Sequence, residues 1–372
     1  MGINEQDCDV SQGFTALEFF AGIGLARAGM AAAGISTVWA NDYDKDKKVM
    51  YEAQWGAGEY VLRNVHEVSG GDLPKVSVAW SSSPCTDLSL AGARHGLRYG
   101  RESSAFFGFS RVISEMGDNK PKVLVLENVV GLASSHDGDD LRAAARTFND
   151  LGYAVDVIVL DARRFVAQSR PRLFLIGAID PPHCEGTESP LRPDSVSWLH
   201  SDPTLRTYKT SLPVPPDLLS EGFTDLVEGL DDSDPRWWDE NRVRNFVESM
   251  SPVQRSRLDA LVNSEEMIAR TAYRRTRAGR PVWEMRADDI SGCLRTARGG
   301  SSKQAVAIMG NGSIRIRWMT GLEYARLMGA GWFNLSGLRE SQVHYGFGDA
   351  VAVPAVAWVA ENMILPALKS GA

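Results

Sequence analysis

Cysteine is scarce in these 372 residues: the four that occur, Cys8, Cys85, Cys184 and Cys293, show no C-x-x-C spacing. That excludes a zinc ribbon or a disulfide framework and fits free thiols in a reducing cytoplasm, so no metal site is expected. No run approaches the roughly 18 apolar residues of a membrane span, and the opening MGINEQDCDVSQGF lacks a basic region followed by an apolar core. Neither secretion nor a membrane partner is expected. Internal repeats and low-complexity tracts are absent. Positive charge is also in deficit, with 40 Lys and Arg against 47 Asp and Glu for a net charge of −7, which on its face argues against a polyanionic partner.

What is present is an ordinary globular composition, 44% hydrophobic, in a chain long enough for two domains at roughly 100 to 200 residues each. The charge is unevenly spread. Between Arg270 and Lys303 nine basic side chains face three acidic ones, a surplus of six that leaves −13 on the other 338 residues. Because a polyanion responds to potential within about 10 Å, a local basic patch can bind phosphates on an acidic protein. The small polar residues of LRTARGGSSKQ (294–304) interleave with its cations, as suits backbone approach to a nucleic acid.

The residue pattern predicts strands at 15–20, 36–40, 76–82, 122–127, 153–160 and 172–178, most of them separated by helix-length segments. Alternation of this kind implies an α/β fold with a mostly parallel sheet and helices on both faces, binding ligands at the carboxyl ends of its strands. The pattern stops near Asp180, where prolines crowd residues 181–216 as in a linker or irregular unit. A helix is expected at PVQRSRLDALV (252–262), and helical periodicity returns at 321–329 and 350–364. Trp237, Trp238 and Trp283 read as core residues of a small second unit.

Four constellations carry chemistry. Phe20-Ala21-Gly22-Ile23-Gly24 turns a strand into a helix from about Leu25 to Ala33, and its glycines let backbone amides face a ligand. Asp42, 18 residues after Gly24 at the end of the next strand, has the spacing of a carboxylate that grips ribose, with Tyr43 beside it able to stack on adenine. Ser82-Ser83-Pro84-Cys85-Thr86-Asp87-Leu88-Ser89 places a thiol with polar flanks at the active edge of the sheet, suited to a nucleophile. Glu127-Asn128 closes the apolar VLVL strand, where burial favours a carboxyl that holds a proton. Gln168-Ser169-Arg170-Pro171-Arg172 sets two arginines on one face of an extended segment, within reach of that carboxyl or a phosphate.

In this order the segments resemble the DNA cytosine C5-methyltransferase family. FFAGIG, SPCTDLSLAG, ENVVGL, QSRPR, RWMTGLEYARLMG and YGFGDAVAVPAV are similar to six of its motifs and span the chain outside residues 186–290. The resemblance implies a Rossmann-like methyltransferase domain at 1–185, a target-recognition domain at 186–314 and a catalytic completion at 315–372. It implies S-adenosylmethionine as donor, leaving S-adenosylhomocysteine, held by Phe20, Gly22, Ile23, Gly24, Asp42, Tyr43, Asn64, Val65, Asp349 and Val351. Cys85, positioned by Pro84, adds to C6 of a flipped cytosine while Glu127 assists at N3, with Asn128, Arg170 and Arg172 in support. Residues 89–105, with Arg94, Arg98 and Arg101, resemble a mobile loop that closes over DNA. Ser89, Gln168, Arg274, Arg275, Arg277, Arg295, Arg298 and Lys303 are the expected contacts to double-stranded DNA. A cytoplasmic monomer is implied, with or without a companion restriction endonuclease.

The chain departs from the family pattern at three places. Leu25 stands where a glycine is usual, Asn64 where an aspartate often reads adenine, and Asp349 where asparagine is common. Other readings explain less. An RNA methyltransferase of the same family would carry a Cys-Phe-Thr signature that is absent, a catalytically silent DNA-binding relative would have lost Cys85 or Glu127, and a dehydrogenase leaves both without a role. The carboxylate of Asp349 favours a cationic donor, so turnover measured side by side is expected with S-adenosylmethionine and not with a carboxylated, anionic analogue.

Overall fold

The computed structural model describes residues 13–84, 105–183, 188–296 and 303–370. Seven strands, β1 (Thr15–Phe19), β2 (Ser36–Asp42), β3 (Tyr60–Leu62), β4 (Val78–Ser81), β5 (Val123–Val129), β6 (Ala154–Asp161) and β7 (Pro171–Ala178), form one sheet in the order 3-2-1-4-5-7-6. All pairs are parallel except those of β7, which runs back antiparallel between β5 and β6. The strand order reverses at β1, which opens a crevice at the carboxyl ends of β1 and β4.

Near-continuous apolar runs make these strands because both faces of the sheet are covered. Along β1, Ala16 joins one apolar cluster and Leu17 and Phe19 the other; along β5, Val123 and Val125 face the first and Leu124 and Leu126 the second. On the second face lie α3 (Ala105–Glu115) and α4 (Asp139–Asp150), through Phe109, Val112 and Phe148. The first face is covered by α1 (Leu25–Ala32) and by the C-terminal helices α8 (Gly321–Leu327), α9 (Glu340–Asp349), α10 (Val353–Val359) and α11 (Leu365–Lys369). A Cβ on Gly29 of α1 would come within 2.4 Å of Val356 Cβ, so the glycine allows α1 and α10 to touch. The stretch Glu340–Lys369 is long and apolar enough to cross a membrane by length and composition, a property the count of consecutive apolar residues does not reveal. It is core instead, with 61% of its most apolar window buried.

The six expected strands are present to within two residues, and Pro252–Val262 forms α7 as expected, with Ser251 capping it and its proline in the first turn. β3 was not anticipated. A second, antiparallel sheet holds β8 (Ile268–Arg277), β9 (Arg280–Met285), β10 (Gln304–Gly310) and β11 (Ser313–Trp318) in the order 11-10-8-9. Its hairpin turn is Ala278-Gly279, both with positive φ, which matches the twist of the strands it joins. Trp238, Phe246 of α6 (Glu240–Glu248), Leu258 and Met285 form its core with Trp283 and Trp318 around them. Trp237 lies at the edge, under the Arg315 guanidinium 4.0 Å from its ring.

Both expected domain limits move. The proline-rich stretch after residue 186 is no linker: Arg206 O accepts Val155 N–H at 3.0 Å and Tyr208 N–H returns to Val155 O at 3.0 Å, which occupies the outer edge of β6. Leu191, Leu199 and Val196 of α5 (Asp194–Ser197) lie in the cores on the two faces of the large sheet, and buried Arg192 meets buried Asp156 at 2.6 Å. An uncovered edge strand is an aggregation risk, and this segment removes it. At the other limit, β11 carries the small sheet to Trp318, past residue 314.

The two units join at a fully buried ion pair. Arg317 Nη2 lies 2.6 Å from Glu323 Oε1 and also donates to Glu228 O at 2.9 Å, while Glu323 Oε2 accepts the Thr320 N–H at 2.8 Å in the cap of α8. Removing one partner strands the other charge. Arg317→Met is expected to lower the unfolding free energy by about 3 kcal/mol in urea titrations followed by tryptophan fluorescence.

Candidate active site

Three residues of the glycine turn take positive φ, namely Phe20 at 57°, Gly22 at 57° and Gly24 at 81°. At Gly24 a side chain has no room, since a Cβ would sit 2.4 Å from Trp55 Nε1. Asp42 ends β2 and is 5% exposed; its Oδ2 accepts the Gly22 N–H at 3.0 Å and its Oδ1 the Asp44 N–H at 3.0 Å. Burial pushes its carboxyl upward, while Lys47 of α2 (Lys45–Trp55) pulls it back. Beneath the turn, Glu18 of β1 is 1% exposed and accepts the Arg27 N–H at 3.1 Å. Burial raises it to about 8, with Arg27 opposing and Asp42 adding to the rise.

A pocket of about 340 Å³ opens beside the turn, lined by Phe20, Asn41, Asp42, Tyr43, Arg63, Asn64, Val65, His66, Pro84 and Ala105. Tyr43 is exposed and Val65 buried. Asn64 Oδ1 accepts the His66 N–H at 3.0 Å, so its amide oxygen caps a short turn and its NH₂ remains a donor. Asn41, Arg63, His66 and Ala105 had no expected role. Asn41 precedes Asp42 on β2 and donates to Val61 O at 2.9 Å and Arg63 O at 2.7 Å, which shapes the wall. Proximity to Asp42 was the one signal for it.

Glu127 and Arg172 are diagonal neighbours on the antiparallel pair β5 and β7, with Arg172 Nε 3.1 Å from Glu127 Oε1 and both side chains largely buried. Asn128, on the opposite face, donates to Ser83 O at 3.0 Å and so ties the end of β5 to the Ser83-Pro84 segment. Cys85, Ser89, Arg94, Arg98, Arg101 and Arg298 lie outside the described residues.

Two expected assignments change. Arg170 does not reach Glu127 or solvent: it is 2% exposed, donates to Leu294 O at 2.8 Å and Gly348 O at 3.2 Å, and also bonds Ala350 O. Burial first, and Arg172 beside it, bring it down to about 10, still a cation near neutrality. Gln168 is not on a DNA-facing surface; it is fully buried, donating to Leu327 O at 2.7 Å and accepting from Leu294 N–H at 3.0 Å. Alternation along an extended segment tells which side Arg170 faces and not what covers that side, and the resemblance that suggested Gln168 says nothing of burial. Asp349 lies 3.0 Å from Lys47 Nζ and accepts the Thr296 hydroxyl, so its carboxylate stands in an ion pair; Val351 beyond it is buried.

A sequence model of the family described as C-5 cytosine-specific DNA methylase matches residues 14–365. The chain belongs to that family. Among its relatives, the type II methyltransferase M.Bsp6I of Bacillus sp. (strain RFL6) is 30% identical over 46% of the chain and 54% of the relative. M.HaeII of Haemophilus aegyptius is 31% identical over 46% and 52%, and M.HhaI of Haemophilus parahaemolyticus 30% over 44% and 49%. The chain spans about half the length of these curated relatives. The fold is similar to that of S. pombe Dnmt2 methyltransferase, with a TM-score of 0.59 at 16% identity over 95% of this chain and 98% of that one. It is also similar to a putative DNA modification methyltransferase encoded within an E. coli prophage, with a TM-score of 0.55 at 15% identity over 94% and 98%.

Within this family member the basic segment is partly self-neutralised. Arg270 meets Asp289 at 2.8 Å, Arg286 meets Asp288 at 2.7 Å and Arg277 meets Glu284 at 2.7 Å, so each acid of the segment holds one of its arginines. Among the described residues the surplus charge rests on Arg274, Arg275, Arg280, Arg295 and Lys303, with Arg275 stacked 4.3 Å from the Tyr273 ring. Arg277, expected as a DNA contact, is exposed but engaged by Glu284.

The raised Glu18 has a testable sign. Its carboxyl binds a proton more tightly folded than unfolded, so its contribution is intact below about pH 4.5 and is lost progressively as pH rises toward 8. Glu18→Gln is expected to flatten that fall, with a gain over the native protein that grows from near zero at pH 4.5 to about 4 to 5 kcal/mol at pH 8.5 in chemical denaturation.

Proposed function

We propose that this protein transfers a methyl group from S-adenosylmethionine to C5 of a cytosine flipped out of double-stranded DNA. One observation carries the reading: Arg172 holds Glu127 at the carboxyl edge of the sheet, and Asn128 binds that same strand end to the Ser83-Pro84 segment that leads into Cys85. The thiol-bearing segment and the carboxyl are thereby tied together beside a pocket that Pro84 and Asp42 both line.

That pocket suits the donor on chemical grounds. Asp42 offers carboxylate oxygens to ribose hydroxyls, Phe20 and Tyr43 offer aromatic surface to adenine, and Asn64 offers an amide to its edge. When bound, S-adenosylmethionine supplies an electrophilic methyl group. Cytosine C5 is a weak nucleophile until the sulfur of Cys85 adds to C6 and the ring electrons move toward N3, where Glu127 delivers a proton. Arg172 fixes one oxygen of Glu127 and leaves the other for the base. C5 then takes the methyl group, which would leave the donor as its thioether; C5 passes its proton to water, and the C6–sulfur bond breaks as N3 returns its proton to Glu127, which restores the ring and frees Cys85. Attack on C6 follows the ring face, which stacking covers in a duplex, hence the flip. Arg170 acts from behind by tying Leu294, Gly348 and Ala350 to the segment that carries Arg172. Arg274, Arg275, Arg295, Arg298 and Lys303 supply the charge that holds the backbone, with Ser89 and Arg277 as further contacts. The class name shared by the relatives, type II methyltransferase, supports a DNA-modifying role beside a restriction endonuclease.

The test is a covalent trap on a pool of random-sequence duplexes carrying 5-fluorocytosine, with S-adenosylmethionine present. Fluorine cannot leave C5 as a proton, so a denaturation-resistant adduct is expected with the native protein and none with Cys85→Ala. Glu127→Gln is expected to slow methylation of unmodified duplexes at least about 100-fold. Absence of any adduct from folded, donor-bound protein overturns the mechanism.

A further inference from the structure

Three charged side chains crowd the glycine turn, and the reaction above uses one of them. Lys47 reaches between two carboxylates that come from opposite ends of the chain. Its Nζ is 3.0 Å from Asp349 Oδ2 at the end of α9, it is drawn electrostatically to Asp42, and its side chain is 13% exposed. A Cβ on Gly22 would lie 3.9 Å from Lys47 Cδ, so the lysine stem runs along the turn. The Tyr345 ring lies 5.2 Å from the ammonium, and Thr296 holds the other oxygen of Asp349. The neighbouring charges offset one another: Asp46 meets Arg339 at 3.1 Å, Arg27 meets Glu59, and Arg63, which lines the pocket with Asp42, is matched in number by Asp44, whose N–H bonds Asp42. Asp42, Lys47 and Asp349 do not balance. Two carboxylates against one ammonium leave one negative charge in a partly desolvated place, where a cation is favoured.

We propose that Asp349 and Lys47 set the charge preference of the donor site, so that a cationic donor is held more tightly than the uncharged thioether product. Asp349 supplies the excess negative charge, and Lys47 limits that excess to one. This inference rests on the donor reading proposed above and assigns Lys47 as a specificity-determining residue. S-adenosylmethionine and S-adenosylhomocysteine share every group except the methyl group and the sulfonium charge. Contacts to their common parts therefore cancel in the ratio of the two dissociation constants, whereas a charge within a Debye length does not cancel.

The experiment is calorimetric titration of the full chain with each ligand, without DNA, for the native protein and for Asp349→Asn, Lys47→Met and Lys47→Arg. In Asp349→Asn the preference for the donor over the product is expected to fall by about three- to tenfold. In Lys47→Met it is expected to rise by a similar factor, and in Lys47→Arg to stay at the native value. A preference within twofold of native in both Asp349→Asn and Lys47→Met, with the two affinities moving together, overturns the inference and makes the pair a scaffold for groups common to both ligands. Failure of the native protein to bind either ligand overturns the donor reading itself, and this inference with it.

Discussion

The architecture depends on one buried guanidinium. Arg170, just before β7, gives hydrogen bonds to the carbonyls of Leu294, Gly348 and Ala350, which are 124 to 180 residues away in the chain. A buried cation needs such partners, and three carbonyls from two remote segments engage both of its terminal nitrogens while locking those segments together. Gly348 completes the contact, because a side chain there would collide with the backbone of Arg295 and Thr296 at 2.6 to 2.7 Å. The connection between β9 and β10, the end of α9 and the start of the strand beside Glu127 are therefore one junction.

From that junction the site follows in both directions. Toward the proposed donor pocket, Asp349 meets Lys47, which sits over the glycine turn held by Asp42. Toward the proposed base site, Arg172, the second residue of β7, fixes Glu127. One short segment thus serves architecture with its first arginine and holds the candidate carboxyl with its second. Sequence alternation puts both on one face of an extended segment, yet Arg170 is covered by other chain segments and Arg172 pairs with Glu127.

This is also where sequence reading reached its limit. The sheet was legible because apolar runs ended by Asp42 and Glu127 leave little choice: charged groups closing buried strands sit at the edge where ligands bind. Gln168 and Arg170 were misread because their partners come from segments remote in the chain. Lys47 was invisible, one of several lysines on a polar helix, and only its distance to Asp349 sets it apart. The prolines after residue 181 suggested a linker, but extended proline-rich chain is equally able to lie along a sheet edge, as Arg206 to Tyr208 do. The net charge of −7 concealed a segment whose own acids neutralise three of its arginines and leave the rest outward.

The buried pair of Arg317 and Glu323 has an evolutionary consequence. The chain passes into the small sheet next to Glu228 and leaves it at Arg317, and those two points touch through the bond from Arg317 to Glu228 O. Closing both ends at one clamp keeps the host sheet continuous, but between β9 and β10 the unit returns to the large domain at Ile290 and Leu294, the latter bonded to Arg170. Only parts away from that return, such as the Ala278-Gly279 turn, can change in length without reaching Arg170.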